Sequence, residues 1–289
     1  MTSRPAGARR SQLLLALTGA VAARAALAGV TTLAARPVGA PWRRTNYAGR
    51  PVTLLGGPAL ALSATATAVL GAPAGTRSAA ALVGAVAGLV GGYDDLAGAR
   101  PDQARDKGLA GHLRALREGR VSAGAVKVAG IGSAAAAAAV LTRGRAGGAR
   151  ALVDGILTTG LVAGSANLLN LLDLRPGRAA KAFVLLGAGL TIGAWDLDPL
   201  WALGLFVAPV LAAGLYDLRE RVMLGDAGSN VIGALAGLWL VLTLSTTGLA
   251  IAAALLLLIT AYGEFRSLNA AIERTPVLRH LDSIGRPHA

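Results

Sequence analysis

Apolar residues along this chain come in long blocks with short polar breaks between them, and they do not alternate with polar ones. A helix needs roughly 17–25 apolar residues to cross the hydrocarbon of a bilayer. On that measure nine spans are expected, at about 11–35, 52–72, 77–93, 121–142, 150–172, 179–195, 199–216, 227–246 and 248–265. The expected fold class is therefore all-α, a polytopic integral membrane protein. Residues 1–289 form a single transmembrane domain, with 266–289 as a polar tail. The first block is too long for the apolar core of a signal peptide and has no convincing cleavage site, so it counts as a span. No repeat is evident, and the run Ala134–Ala139 reads as helix-packing material.

Composition sharpens this picture. With 54% hydrophobic and 15% charged residues, the chain is too apolar for an ordinary soluble domain. The 39 glycines suit close helix–helix contact in lipid. The absence of cysteine excludes disulfides, thiolate metal sites and cysteine nucleophiles. A net charge of +13 would point to nucleic acid in a soluble protein, but no nucleic-acid partner is expected, because aromatic and basic residues are not interleaved. The arginines sit instead in short loops, where they set topology and meet anionic lipid or phosphate. Most of them fall on one side if the N-terminus is outside. Loops 36–51, 94–120, 173–181 and 217–226 and the tail are then cytoplasmic. The basic N-terminus pulls weakly the other way.

That orientation gathers the polar motifs on one face. In SANLLNLLDLRPGRAAK (165–181), Asn167, Asn170 and Asp173 recur at a spacing of three and form a polar stripe on a helix. Such a stripe is costly in lipid unless it meets protein, water or a ligand. It can hold a metal's water shell, a nucleobase or a sugar, or it can glue two helices together. GGYDDLAG (91–98) ends a span on the paired carboxylates Asp94 and Asp95. These repel unless a divalent metal or a lysine sits between them, and either can act as a general base. The alternative is a solvated helix end. In the basic loop that follows, Lys107 and His112 can contact phosphate or merely carry topology-setting charge. MLGDAGSN (223–230) opens a span at Asp226, which can serve as an N-cap. A carboxylate at a helix N-terminus is also suited to Mg2+ and phosphate. The tail segment PVLRHLDSIGR (276–286) carries His280 and Asp282, either as substrate contacts or as part of a surface amphipathic helix. Together the clusters point to Mg2+-assisted phosphoryl chemistry at a membrane surface.

DD at 94–95, NxxNxxD at 167–173 and GDxGS at 225–229 match in type and order the polyprenyl-phosphate N-acetylhexosamine-1-phosphate transferases. The chain resembles this superfamily, which includes the phospho-N-acetylmuramoyl-pentapeptide transferase of peptidoglycan synthesis and the GlcNAc-1-phosphate transferases. The likeness runs from NYAGRPVTLLGG (46–57) to the end. It implies a multi-pass enzyme of the bacterial plasma membrane with cytoplasmic catalytic loops. Such an enzyme moves a sugar 1-phosphate from a UDP-sugar to undecaprenyl or decaprenyl phosphate and releases UMP. It implies Mg2+ as cofactor, with Mn2+ as a substitute, and leaves a homodimer open. By position, Asp94 and Asp95 would activate or position the lipid phosphate, and Asp226 would be the principal metal ligand, with Asp173 beside it. Asn167, Asn170, Arg175, Lys107, His280 and Asp282 would line the substrate site.

The chain also departs from the pattern. Pro276, His280, Asp282 and Gly285 fit the frame of the histidine-rich segment near the family's C-terminus, but Leu278 and Arg279 replace its first two histidines. Tyr216 stands where an asparagine is usual, and the family's last span has no counterpart. Two other classes of function compete with the enzyme. One is an inactive relative that binds lipid phosphate as a scaffold in envelope assembly. The other is a secondary transporter, which the intramembrane Arg24 and Lys127 would serve.

Overall fold

The computed structural model describes residues 6–98, 100, 108–142, 147–193 and 207–286. The described chain is mostly helical: α1 (Ala6–Ala35), α2 (Gly56–Gly71), α3 (Arg77–Ala97), α4 (Gly108–Arg117), α5 (Ala123–Thr142), α6 (Gly148–Leu172), α7 (Arg178–Gly193), α8 (Val207–Leu218), α9 (Gly225–Thr243), α10 (Thr246–Phe265), α11 (Leu268–Arg274) and α12 (Pro276–Ser283). Six helices among the described residues are long and apolar enough to cross a membrane. They correspond to the spans expected at 11–35, 77–93, 121–142, 150–172, 227–246 and 248–265. The other three expected spans coincide with shorter described helices: Gly56–Gly71, Arg178–Gly193 and Val207–Leu218. Part of the span expected at 199–216 lies outside the described residues.

Helix α9 is the axis of the bundle. In the part long enough to span, 78% of its residues are buried, against 11% for α10. Its sequence is apolar all round, as a helix surrounded by other helices requires. It packs on α6, α3 and α2, while α5 bridges α3 and α6, and α1 leans on α2 and α8. Small residues allow the close approach. A side-chain carbon at Gly233 would lie 2.4 Å from the Ser165 carbonyl oxygen, and one at Gly237 would lie 2.5 Å from that of Leu161. The two glycines, four residues apart, form one flat strip on α9 against the backbone of α6. Further along, Trp239 fills the space beside Phe183 of α7, with ring centroids 6.1 Å apart.

Among the described residues one short sheet interrupts the helices, and it was not anticipated. Residues Arg43–Thr45 (β1) and Pro51–Thr53 (β2) form an antiparallel hairpin, with Arg44 opposite Val52. Its turn is closed by Asn46, whose side-chain oxygen accepts the Ala48 and Arg50 amides at 2.9 Å each. Asn46 also donates to Glu220 at 2.5 Å, and Arg50 pairs with the same carboxylate at 2.6 Å. The Met223 amide in turn donates to the Thr53 carbonyl at 3.0 Å. The hairpin therefore fixes the loop that leads into α9, and with it the position of Asp226.

If the glycine strip sets the α6–α9 distance, Gly237→Leu will lower the melting temperature in detergent by an amount equivalent to about 1–3 kcal/mol. Gly160→Ala on α6, whose added carbon meets nothing within 4 Å, will leave it unchanged or slightly raised.

Candidate functional site

Four helices present their polar ends at the same end of the bundle: the C-termini of α3 and α6 and the N-termini of α5 and α9. The start of α9 is the focus. Gly225 lies at φ +57°, a left-handed conformation that a side chain would strain. A carbon added there would also sit 2.8 Å from Asp95 Oδ1. Leu224, at the N-cap, offers no side-chain acceptor. The free amides of the first turn are satisfied from another helix instead. The Asp226 N–H donates to Asp95 Oδ1 at 2.9 Å, and the Ala227 N–H to Asp95 Oδ2 at 3.0 Å. Asp95 is thus a buried cap supplied across the helix–helix contact, a role worth roughly 0.5–2 kcal/mol in an ordinary N-cap. Gly91, one turn earlier on α3, makes the approach possible. A side-chain carbon there would meet the Asp226 carbonyl oxygen at 2.4 Å.

Asp94 and Asp95 are neighbours in sequence but point about 100° apart on the helix. Asp94 therefore turns away from the amides and meets Lys127 of α5, with Nζ 2.7 Å from Oδ2. The same ammonium contacts Asp226 Oδ2. The expectation that a metal or a lysine would separate paired carboxylates is met by a lysine, but between Asp94 and Asp226 instead of between Asp94 and Asp95. The other oxygen of Asp226 accepts from Asn170 Nδ2 at 2.6 Å, and that amide reaches Ser229 Oγ at 3.0 Å. Ser229 donates back to the Gly225 carbonyl at 2.6 Å, and Asn230 to the Asp226 carbonyl at 2.8 Å. The side chains of Asp94, Lys127 and Asp226 remain 17%, 18% and 23% exposed, so a ligand can reach them.

The stripe on α6 divides. Asn170 enters the network, whereas Asn167 is exposed and outside it. Steps of three residues drift by about 60° each, so the two ends of the stripe diverge by about 120°. Asp173 follows the last turn of α6. Burial, and after it the charges of Asp217, Asp226 and Asp95, hold its carboxyl well above the ordinary 3.8. Asp173 therefore holds a proton more readily than a free aspartate, and in that form it can donate a hydrogen bond.

Of the remaining expected substrate contacts, Asp282 belongs to a separate latch. Arg178 grips Asp282 through two bonds of 2.8 Å, Lys181 donates to the Asp282 carbonyl at 2.6 Å, and Arg286 reaches Asp282 Oδ1 at 2.5 Å. Asp282 thus spends its carboxylate on cations of its own chain. Arg175 lies over the Tyr47 ring at 4.2 Å and pairs with Glu273 at 2.8 Å, joining the hairpin to α11. His280 is exposed on α12. Lys107 lies outside the described residues. Arg24 stacks over Tyr216 at 5.2 Å, away from the acidic cluster.

Sequence reading noted Lys127 only as a charge inside a span and did not place it in the site. An ionisable residue in an apolar helix is itself a pointer to function, and that signal was present. Ser229 lay within the GDxGS motif without a role of its own.

Among the described residues, no group of three or more His, Cys, Asp or Glu side chains is arranged to hold a metal ion. The donors at the start of α9 still suit Mg2+. They are oxygen ligands from two carboxylates, and Mg2+ usually takes one or two together with substrate phosphate. No family model matches the chain, and no match is found among characterised proteins.

The latch has a pH signature. Burial alone would raise the Asp282 carboxyl, but the hydrogen bonds and charge of Arg178, with Arg286 and Lys181, outweigh it and hold the group below 3.8. A depressed carboxyl stabilises the docked tail above that value and loses the effect as pH falls through its lower folded value. Protection of 268–283 against hydrogen exchange, relative to the unstructured rate at each pH, is expected to hold from neutral pH down to the ordinary aspartate value and to fall below it. In Asp282→Asn it will be low throughout.

Proposed function

We propose that this chain is a Mg2+-dependent transferase of the bacterial plasma membrane. It moves a sugar 1-phosphate, an N-acetylhexosamine 1-phosphate in this reading, from a UDP-sugar to polyprenyl phosphate and releases UMP. The observation that carries the reading is the convergence of Asp94, Lys127, Asn170, Asp226 and Ser229 from four helices onto one helix N-terminus. On the nine-span reading that end of the bundle is cytoplasmic, where a UDP-sugar is available. The proposed resemblance to polyprenyl-phosphate N-acetylhexosamine-1-phosphate transferases rests on motifs that include Asp94, Asn170, Asp226 and Ser229.

In this reading the new bond joins an oxygen of the acceptor phosphate to the phosphorus that carries the sugar, and the bond to UMP breaks. Asp226, with Asp173 beside it, would hold the Mg2+. The metal would supply charge neutralisation for a diphosphate. Asp94 is the member of the aspartate pair free to orient the acceptor phosphate or take its proton, because both oxygens of Asp95 are held by amides. Asn170 fixes the Asp226 carboxylate, and the first turn of α9 offers its positive end to phosphate.

An apolar groove of about 500 Å3 lies at the tail latch, lined by Leu168, Leu172, Leu185, Tyr262 and Leu281 together with Arg178, Lys181 and Asp282. Its lining comes from α6, α7, α10 and the tail helices, and Leu172 adjoins Asp173. A hydrocarbon chain fits such a surface, and this supports a long-chain lipid acceptor.

The test is a panel of UDP-sugars offered to the purified protein with polyprenyl phosphate, with and without Mg2+. UMP release that requires both Mg2+ and the lipid phosphate is expected for at least one sugar. Asp94→Asn should cut it by about 100-fold or more. No UMP from any sugar, with lipid phosphate still bound, would leave the scaffold reading in its place.

A further inference from the structure

The oxygens of Asp95 and Asp226 at the start of α9 are held by partners of different kinds. The oxygens of Asp95 are held by two backbone amides, which cannot leave without unwinding the helix. Asp226 Oδ1 is held by the side chain of Asn170, itself anchored at Ser229. Asp94 Oδ2 and Asp226 Oδ2 share a single ammonium, that of Lys127. Lysine is a compact charge on a flexible four-carbon stem, so it is the one partner here that can exchange without disturbing the backbone. Its side chain is 18% exposed, which leaves it a path out. It also occupies an oxygen of Asp226, the carboxylate that would hold the metal in the proposed function.

We propose that Lys127 is a built-in counter-cation that competes with a divalent metal ion for Asp226. This rests on the reading of the site as a divalent-cation site. Before loading, the ammonium keeps two partly buried carboxylates from repelling each other and preserves the spacing of α3, α5 and α9. Loading requires the ammonium to give up the Asp226 oxygen, and the freed charge remains near enough to meet a phosphate arriving with the metal. A lysine here therefore weakens the site for metal alone and favours metal that comes with an anionic substrate.

The competition is measured on the full-length protein in detergent with Mn2+ as the probe, its binding followed by electron paramagnetic resonance. Lys127→Met should bind Mn2+ at least about tenfold more tightly than wild type, since a unit charge is removed within a few ångströms of the ion. Lys127→Gln, which keeps a polar side chain of similar reach, should tighten it as well and stands in if the methionine variant does not fold. Adding Asp226→Asn to either should abolish the gain. Unchanged or weaker Mn2+ binding in both lysine variants would overturn the proposal, as would a gain that survives Asp226→Asn. Tighter Mn2+ binding in a protein that releases no UMP from any UDP-sugar would support the competition and sink the transferase reading. Intact UMP release with unchanged Mn2+ affinity would do the reverse.

Discussion

The amino end of α9 is where this structure is held together. A helix that begins inside a bundle leaves amides without partners, and water is not there to satisfy them. Asp95 supplies both acceptors from α3. That capping brings the negative charge of Asp95 against Asp226, and the neighbouring Asp94 adds a third carboxylate. The ammonium of Lys127 compensates for this crowding, and Asn170 holds what remains of Asp226. The contacts that close the bundle at this end are therefore the same ones that assemble the candidate site.

Rigidity reaches the site from two directions. Along the axis, glycines at 91, 233 and 237 bring α3 and α6 into backbone contact with α9, so the polar ends cannot slide past one another. From outside the bundle, the hairpin at 43–53 and Glu220 fix the loop that enters α9. The tail is attached differently, through the buried Arg178–Asp282–Arg286 group and through Arg175 between Tyr47 and Glu273. It lies along the apolar groove instead of reaching into the acidic cluster.

Much of this was legible in the sequence, in proportion to how local each signal is. Apolar blocks marked the six long helices, because length and hydropathy are properties of a contiguous segment. Of the other three expected spans, α2 is shorter than the apolar block around it, while α7 and α8 adjoin residues 194–206, which lie outside the described residues. The hairpin was missed: its two strands have three residues each, too few for an alternating pattern to stand out. Asp94, Asn170 and Asp226 stood out as polar groups at span ends. That Asp95 would cap α9 was not readable, since it depends on which side of α3 meets which helix. Asp226 and Arg178, which pair with Lys127 and Asp282, are separated from them by 99 and 104 residues of chain, and no pattern within a segment encodes such pairings.

The account stands or falls on whether Lys127 and Asp226 act as one unit at the start of α9. A double-mutant cycle reads this directly. Lys127→Met, Asp226→Asn and the double variant are compared with wild type by thermal unfolding in detergent with a chelator present. Coupling of about 1–3 kcal/mol is expected, with the double variant no less stable than the worse single one. Additive losses would mean that the two side chains do not interact, and would contradict the account.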